Sequence, residues 1–339
     1  YEMNIEGVKV IVQPSNNEIV VIQTVFKGGV QNYPENKAGI EKMGFQALTE
    51  CGTVNDDKNS FKNKLDKVSA QVYGNSGMDM SSLTMNCIQS DFETVWTLYA
   101  DALSSPGFDS KEFERIRQDA INEIKANESQ PDYAIDKYAR KLAFAGKNYA
   151  KDPEGTEATI KQLSVAETKA HYLSILTRSR IFIVVVGEID KADLEKRMTD
   201  LIRKIPAGKA INFQKEAYNP VKNSFSATQK DFETNYIKGV TGGPLPGSPD
   251  YNAFNLAMRI FSNKYFIEVR TKNGLSYAPG AWFDGSMTAT ANISVSTTEP
   301  DKYIAVTQSL INKLKSEGFT EEEVKNEKIG YVTGFYYRQ

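Results

Sequence analysis

Histidine is almost absent from this chain. His171 is the single one in 339 residues, and there are two cysteines, Cys51 and Cys87. A closed zinc site takes four nitrogen or sulfur ligands, and a catalytic one usually takes two or three imidazoles. Zinc chemistry built from this chain's own imidazoles and thiols is therefore excluded, and two cysteines make no disulfide scaffold. No stretch approaches the ~18 consecutive apolar residues of a membrane-crossing helix. Basic and acidic residues nearly balance, 41 against 43, so there is no basic stripe for nucleic acid. Neither a P-loop nor G-x-G-x-x-G occurs, and Gly74-Asn75-Ser76-Gly77 and Gly274-Leu275-Ser276-Tyr277 both fail the G-x-S-x-G nucleophile pattern. His171 reads as a structural helix residue, because no serine or cysteine nucleophile motif accompanies it.

What the chain does have is length and repetition. Its 339 residues suggest two or three domains, and 40% apolar residues give a sizeable core. Phe92, Val95, Tyr99, Leu103 and Gly107-Phe108 recur as Tyr303, Val306, Leu310, Leu314 and Gly318-Phe319, at a constant offset of roughly 210 positions. The strand-like run that ends in Lys27-Gly28-Gly29 has its counterpart in the run that ends in Thr241-Gly242-Gly243. Two matches in the same order indicate a duplicated unit.

The first copy alternates strands and helices. Residues 8–12 and 19–26 read as strands, 39–49 as a helix, 68–88 as a polar strand pair, 111–126 as a long helix and 181–186 as an apolar strand. Capping boxes are expected at Ser90/Glu93, Ser164/Glu167 and Thr320/Glu323, a cap at Asp109 or Ser110, and an N-cap at Ser248 before Pro249. Leu194, Met198, Leu201, Ile202 and Ile205 form one helical stripe, which Pro206-Ala207-Gly208 ends. The expected organisation is a first domain at 1–209, a linker at 210–215 and a second domain at 216–339. Measured against the first copy, the second stops short of its last helices and sheet elements.

The helix at 39–49 carries a family resemblance. Its flanks, Ala38-Gly39-Ile40 and Gly52-Thr53, resemble those of the zinc helix of the pitrilysin/insulinase (M16) peptidases, whose active members carry H-x-x-E-H there. Counting back from Gly52-Thr53 puts the two histidine positions on Met43 and Ala47 and the glutamate on Gln46. Counting forward from Gly39-Ile40 shifts the frame to Lys42, Phe45 and Gln46. Neither frame supplies an imidazole or a general base. The family's third ligand, a glutamate on a later helix, falls on Glu123. A carboxylate alone cannot hold zinc at useful affinity. On their own spacing, Ile40, Met43, Gly44, Ala47 and Leu48 make an apolar stripe, and Glu123 reads as an edge carboxylate.

Two more segments carry the resemblance. Arg270 and Tyr277, seven residues apart, match the family's arginine–tyrosine pair, which implies hydrogen bonding to a substrate carbonyl. Their bland reading is a surface arginine and a half-buried sheet tyrosine. The strand near Tyr73-Gly74-Asn75 corresponds to the one that pairs with extended peptide in active members.

The resemblance implies an α+β fold of two homologous α/β-roll domains, each a mixed sheet backed by helices. It also implies the role of the family's zinc-less subunits, which bind peptide and supply the pair to a zinc-bearing H-x-x-E-H partner. This chain is then inactive by itself, with no cofactor of its own and zinc only on the partner. Its partners are a catalytic subunit in a heterodimer, or a second copy in a homodimer. The alternative is a stand-alone peptide-binding or scaffold protein. A third reading assembles a metal site from Glu41, Glu50 or Glu123 with His171. A start at Tyr1 is compatible with signal-peptide removal and favours an exported, periplasmic location over the cytoplasm.

Overall fold

The computed structural model describes residues 1–214, 216 and 224–337. The chain forms two compact units, Tyr1–Ala126 with Lys151–Gln214, and Asn127–Ala150 with Lys215–Gln339. Residue 215 of the expected linker lies outside the described residues.

The first unit is built on a six-stranded sheet, β1 (Glu2–Ile5), β2 (Val8–Gln13), β3 (Ile19–Lys27), β4 (Gln71–Ser76), β5 (Met80–Ile88) and β6 (Ile181–Val186), in the order β1-β2-β6-β3-β5-β4. β6 reads Ile-Phe-Ile-Val-Val-Val, a β-branched run suited to the middle of a sheet. It lies parallel to β2 and antiparallel to β3, so the sheet is mixed. Among the described residues, β4 pairs with β5 alone and forms an edge.

Helices α1 (Ile40–Glu50), α2 (Lys58–Lys67), α3 (Phe92–Ser104), α4 (Ser110–Glu128), α6 (Glu157–Gln162), α7 (Val165–Ile175) and α8 (Lys191–Ile202) belong to this unit. Phe26, Phe45 and Tyr172 meet ring to ring in its core, and the hydroxyls of Thr24 and Tyr99 share a buried hydrogen bond of 2.5 Å. Both cysteines are buried and free, and burial pushes their thiols up, to about 12 for Cys51 and about 11 for Cys87.

The second unit repeats the plan. β7 (Asn235–Gly242), β8 (Gly280–Asp284) and β9 (Thr290–Thr297) form an antiparallel sheet in the order β7-β9-β8, with α9 (Tyr251–Phe266), α10 (Pro300–Glu317) and α11 (Glu321–Tyr336). β9 lies between β7 and β8 as β5 lies between β3 and β4, and a helix pair follows each hairpin. Tyr265, Val269, Leu275, Val295, Tyr303 and Leu310 are part of its core, where the Tyr265 and Tyr303 hydroxyls sit 2.6 Å apart.

The duplicated order read from the sequence is thus the order in space. Three local expectations change. Asn127–Ala150, expected in the first domain, joins the second unit: α5 (Pro131–Ala143) packs on β7, and Asp136 pairs with Lys238. Ser90 does not cap α3, because a 3-10 turn at Gln89–Asp91 leads into that helix and the Ser90 hydroxyl turns to Asp91. Ser248 does not cap α9, which starts two residues beyond Pro249. The capping boxes of Ser164/Glu167 and Thr320/Glu323 form as expected, and Asp109 accepts from the Glu112 N–H at 2.9 Å.

Candidate functional site

The site lies within the first unit, where α1 crosses the edge strand. Close approach depends on Gly74. A Cβ there would lie 2.1 Å from the Phe45 carbonyl oxygen, so only glycine lets α1 rest on β4. At the other end of α1, Gly39 takes φ +90°, and a Cβ on Gly155 would lie 2.7 Å from the Ala38 carbonyl. These glycines bring the turn at Glu154 against the start of the helix.

Met43 and Ala47 are fully buried, turned into the core with Leu48. They are not cavity residues, which corrects the frame counted from Gly52-Thr53. The face of α1 toward Glu123 carries Lys42 and Gln46, four residues apart and so one turn along the helix. With Gly74, Asn75, Ser76, Glu123 and Glu154 they line a cavity of about 230 Å³. Among the described residues, the Gln46 Oε1 is buried there without a partner.

Lys42 dominates the electrostatics. Its ammonium donates to Glu123 Oε2 at 2.7 Å and to Glu154, and its side chain is only 10% exposed. Burial works against the charge, but the hydrogen bonds and charges of Glu123 and Glu154 outweigh it and raise the Lys42 pKa. Glu154 went unmarked in the sequence. Its one signal is the Asp152-Pro153-Glu154-Gly155 turn, which shows that a turn exists but not what it faces.

The neighbouring residue of α1 has a separate role. Glu41 is 2% exposed, accepts from Asn32 Nδ2 at 2.7 Å and from the Ser81 hydroxyl, and lies 3.2 Å from His171 Nε2. Arg180 holds Asn32 in turn, at 3.0 Å. His171 thereby ties α7 to α1. Glu50, on the last turn of α1, pairs with Lys62 and Arg115, both at 2.6 Å. Glu41, Glu50 and Glu123 therefore belong to three different networks. Among the described residues, no three His, Cys, Asp or Glu side chains are grouped to hold a metal ion. The donor set does not fit zinc either, because a lysine ammonium has no lone pair to give.

In the second unit α9 runs on into a π-helical turn, Ile267–Lys272, that carries Arg270. Buried Val269 and Leu275 anchor the following loop, with the Leu275 N–H donating to the Val269 carbonyl at 3.0 Å. The Arg270 guanidinium is 4.3 Å from the Tyr277 ring centroid and 5.1 Å from that of Phe266. Tyr277 is 81% exposed and lies ahead of β8, not in a sheet. The pair is assembled by stacking, the guanidinium lying over both rings.

The family model described as insulinase (peptidase family M16) matches residues 9–157, and the one described as peptidase M16 inactive domain matches residues 162–331. The chain belongs to the M16 peptidase family. It is similar to a non-peptidase homologue, YmxG, of Helicobacter pylori, at 20% identity over 91% of this chain and 72% of that protein. An uncharacterized zinc protease of Rickettsia bellii is 21% identical over 91% of this chain and 75% of that protein. Among solved structures, a peptidase M16 inactive domain from Pseudomonas fluorescens superposes with a TM-score of 0.90, at 18% identity, over 98% of this chain and 83% of that one. A chain of complex III2 from Candida albicans superposes at 0.76, at 14% identity, over 99% and 81%. At such identities the structural likenesses show the M16 fold alone. That Candida albicans chain is part of complex III2. Among the described residues, no helix is long and apolar enough to cross a membrane.

Proposed function

We propose that this chain is a non-catalytic M16 subunit that holds extended peptide and complements a zinc-bearing H-x-x-E-H partner. One observation carries the reading: the face of α1 toward Glu123 presents an ammonium and a carboxamide, Lys42 and Gln46. Neither can ligate zinc as an imidazole does, and neither can take a proton from water. In this reading zinc belongs to the partner alone.

Binding features persist where hydrolytic ones are missing. The open side of β4 offers backbone N–H and C=O groups to an added strand, which needs no particular side chain. Arg270 and Tyr277 offer a guanidinium and a phenol, donors suited to a peptide carbonyl or to an oxyanion forming at it. The complex III likeness supports life as a subunit.

The test is reconstitution with a candidate H-x-x-E-H partner and an unstructured peptide. Cleavage that appears only in the mixture, and falls about tenfold or more for Arg270→Ala, is the expected result. Tight peptide capture by this chain with no gain in cleavage would favour the stand-alone binding protein. No capture and no activation would remove both readings.

A further inference from the structure

Glu123 and Glu154 face one small cavity, and two carboxylates so placed repel unless a cation stands between them. In the M16 resemblance Glu123 falls on the position of a zinc ligand. Here the Lys42 ammonium bonds to both. We propose that Lys42 is the permanent cation of this cavity: tethered to α1, it neutralises Glu123 and Glu154, fixes them beside β4 and keeps divalent metals out.

Three observations support the assignment independently of any peptide. Lys42 reaches the cavity while the adjacent Met43 is fully buried, so the helix is oriented to deliver that side chain and not its neighbour. The side chain is 10% exposed, too covered for a casual surface contact. A compact ammonium with three rotatable donors can serve two carboxylates from different elements at once, here α4 and the turn before α6. The raised Lys42 pKa agrees with this balance. A tethered cation makes the cavity's charge independent of free metal, and it sits one turn from Gln46, so two substitutions can replace it with ligands.

Metal analysis of the purified full chain tests this, after zinc loading and desalting. Wild type is expected to carry far less than one zinc per chain, unchanged by Glu123→Gln. The Lys42→His/Gln46→His variant is expected to carry close to one, lost again when Glu123→Gln is added. Near-stoichiometric zinc in wild type that depends on Glu123 would overturn the proposal. So would a double-histidine variant that melts like wild type yet takes up no more zinc than it. Should that variant fail to fold, Lys42→Met decides. It is expected to melt several degrees below wild type at neutral pH, and Glu154→Gln added to it should recover part of the loss. A Lys42→Met protein that melts with wild type would rule out the neutralising role. Zinc in wild type would also count against the reading that leaves zinc to the partner, whereas the Lys42→Met arm bears on the neutralising role alone and reads neither peptide nor partner.

Discussion

The two repeats put the same helix to different uses. In the first, α1 lies on β4 and buries two charges side by side, Glu41 in a network with Asn32, Ser81 and His171, and Lys42 between Glu123 and Glu154. In the second, α9 overruns into a π turn and keeps its charge at the surface, with Arg270 lying over two aromatic rings. A buried charge demands a full set of partners, whereas a stacked one leaves its hydrogen-bonding edges available. The lesson is that duplicating a scaffold does not duplicate its chemistry. Burial decides whether a charge on this helix is locked into a network of ion pairs or stays stacked at the surface.

The sharpest way to break that contrast is Gly74→Ala. The obstacle to the new Cβ is the Phe45 backbone, which cannot rotate away, so α1 must lift from β4 at a cost of about 3 kcal/mol. Thermal melting should show the first unit losing roughly 6–12 °C. The second-unit control is Gly239→Ala on β7, whose Cβ would meet only the Ile293 side chain. Ile293 can change rotamer, so about 1 kcal/mol or less is expected. Equal losses for the two would contradict the special packing of α1.

Lys42→Met comes next. One carboxylate partner is half exposed, so the loss should be about 2 kcal/mol, below that of a fully buried pair. Because its folded pKa is raised, the stabilisation from Lys42 is fully present below the unfolded value of roughly 10.4 and lost as pH rises through the higher folded value. The gap between wild type and Lys42→Met should therefore hold steady from pH ~7 to ~9.5 and close above about pH 10.5. A gap already closed at pH ~9 would mean that Lys42 is not the stabilised cation described.

A smaller and symmetric effect is expected from the capping boxes. Ser164→Ala in the first unit and Thr320→Ala in the second each remove one helix cap, at about 1 kcal/mol apiece. Matched losses would show that local helix chemistry is shared by the repeats while site chemistry is not.

The smallest effect is expected at the surface. Hydrogen bonds from Lys58 and Arg115 hold the Glu112 carboxyl down to about 2. Its contribution is present above the unfolded value of roughly 4.3 and fades as pH falls toward 2. Glu112→Gln should separate slightly from wild type near neutrality and merge with it in acid, as followed by urea unfolding across pH.

Much of the fold was legible because it rests on local patterns. The β-branched run of β6, the stripe of α8, the caps of α7 and α11 and the spacing of the repeat each follow from chain periodicity, and all appear in space. The candidate site was legible only in part. Glu123, Gln46, Arg270 and Tyr277 could be named, but which face of α1 meets Glu123 could not. The two frames differ by a single residue, and a helix turns by about 100° per residue. Packing made the choice, because Met43 and Ala47 fill the core and Lys42 and Gln46 are left for the cavity.

By itself, then, the sequence determined the duplication, the fold class and the lack of imidazoles, since each depends on composition or near-neighbour spacing. Tertiary structure alone decided that Glu154 joins Glu123 around Lys42, that His171 serves Glu41, and that α5 belongs to the second unit. These are contacts between residues far apart along the chain, brought together by glycine-permitted close approaches and by the burial of apolar faces. No local pattern encodes which distant charge will be waiting there.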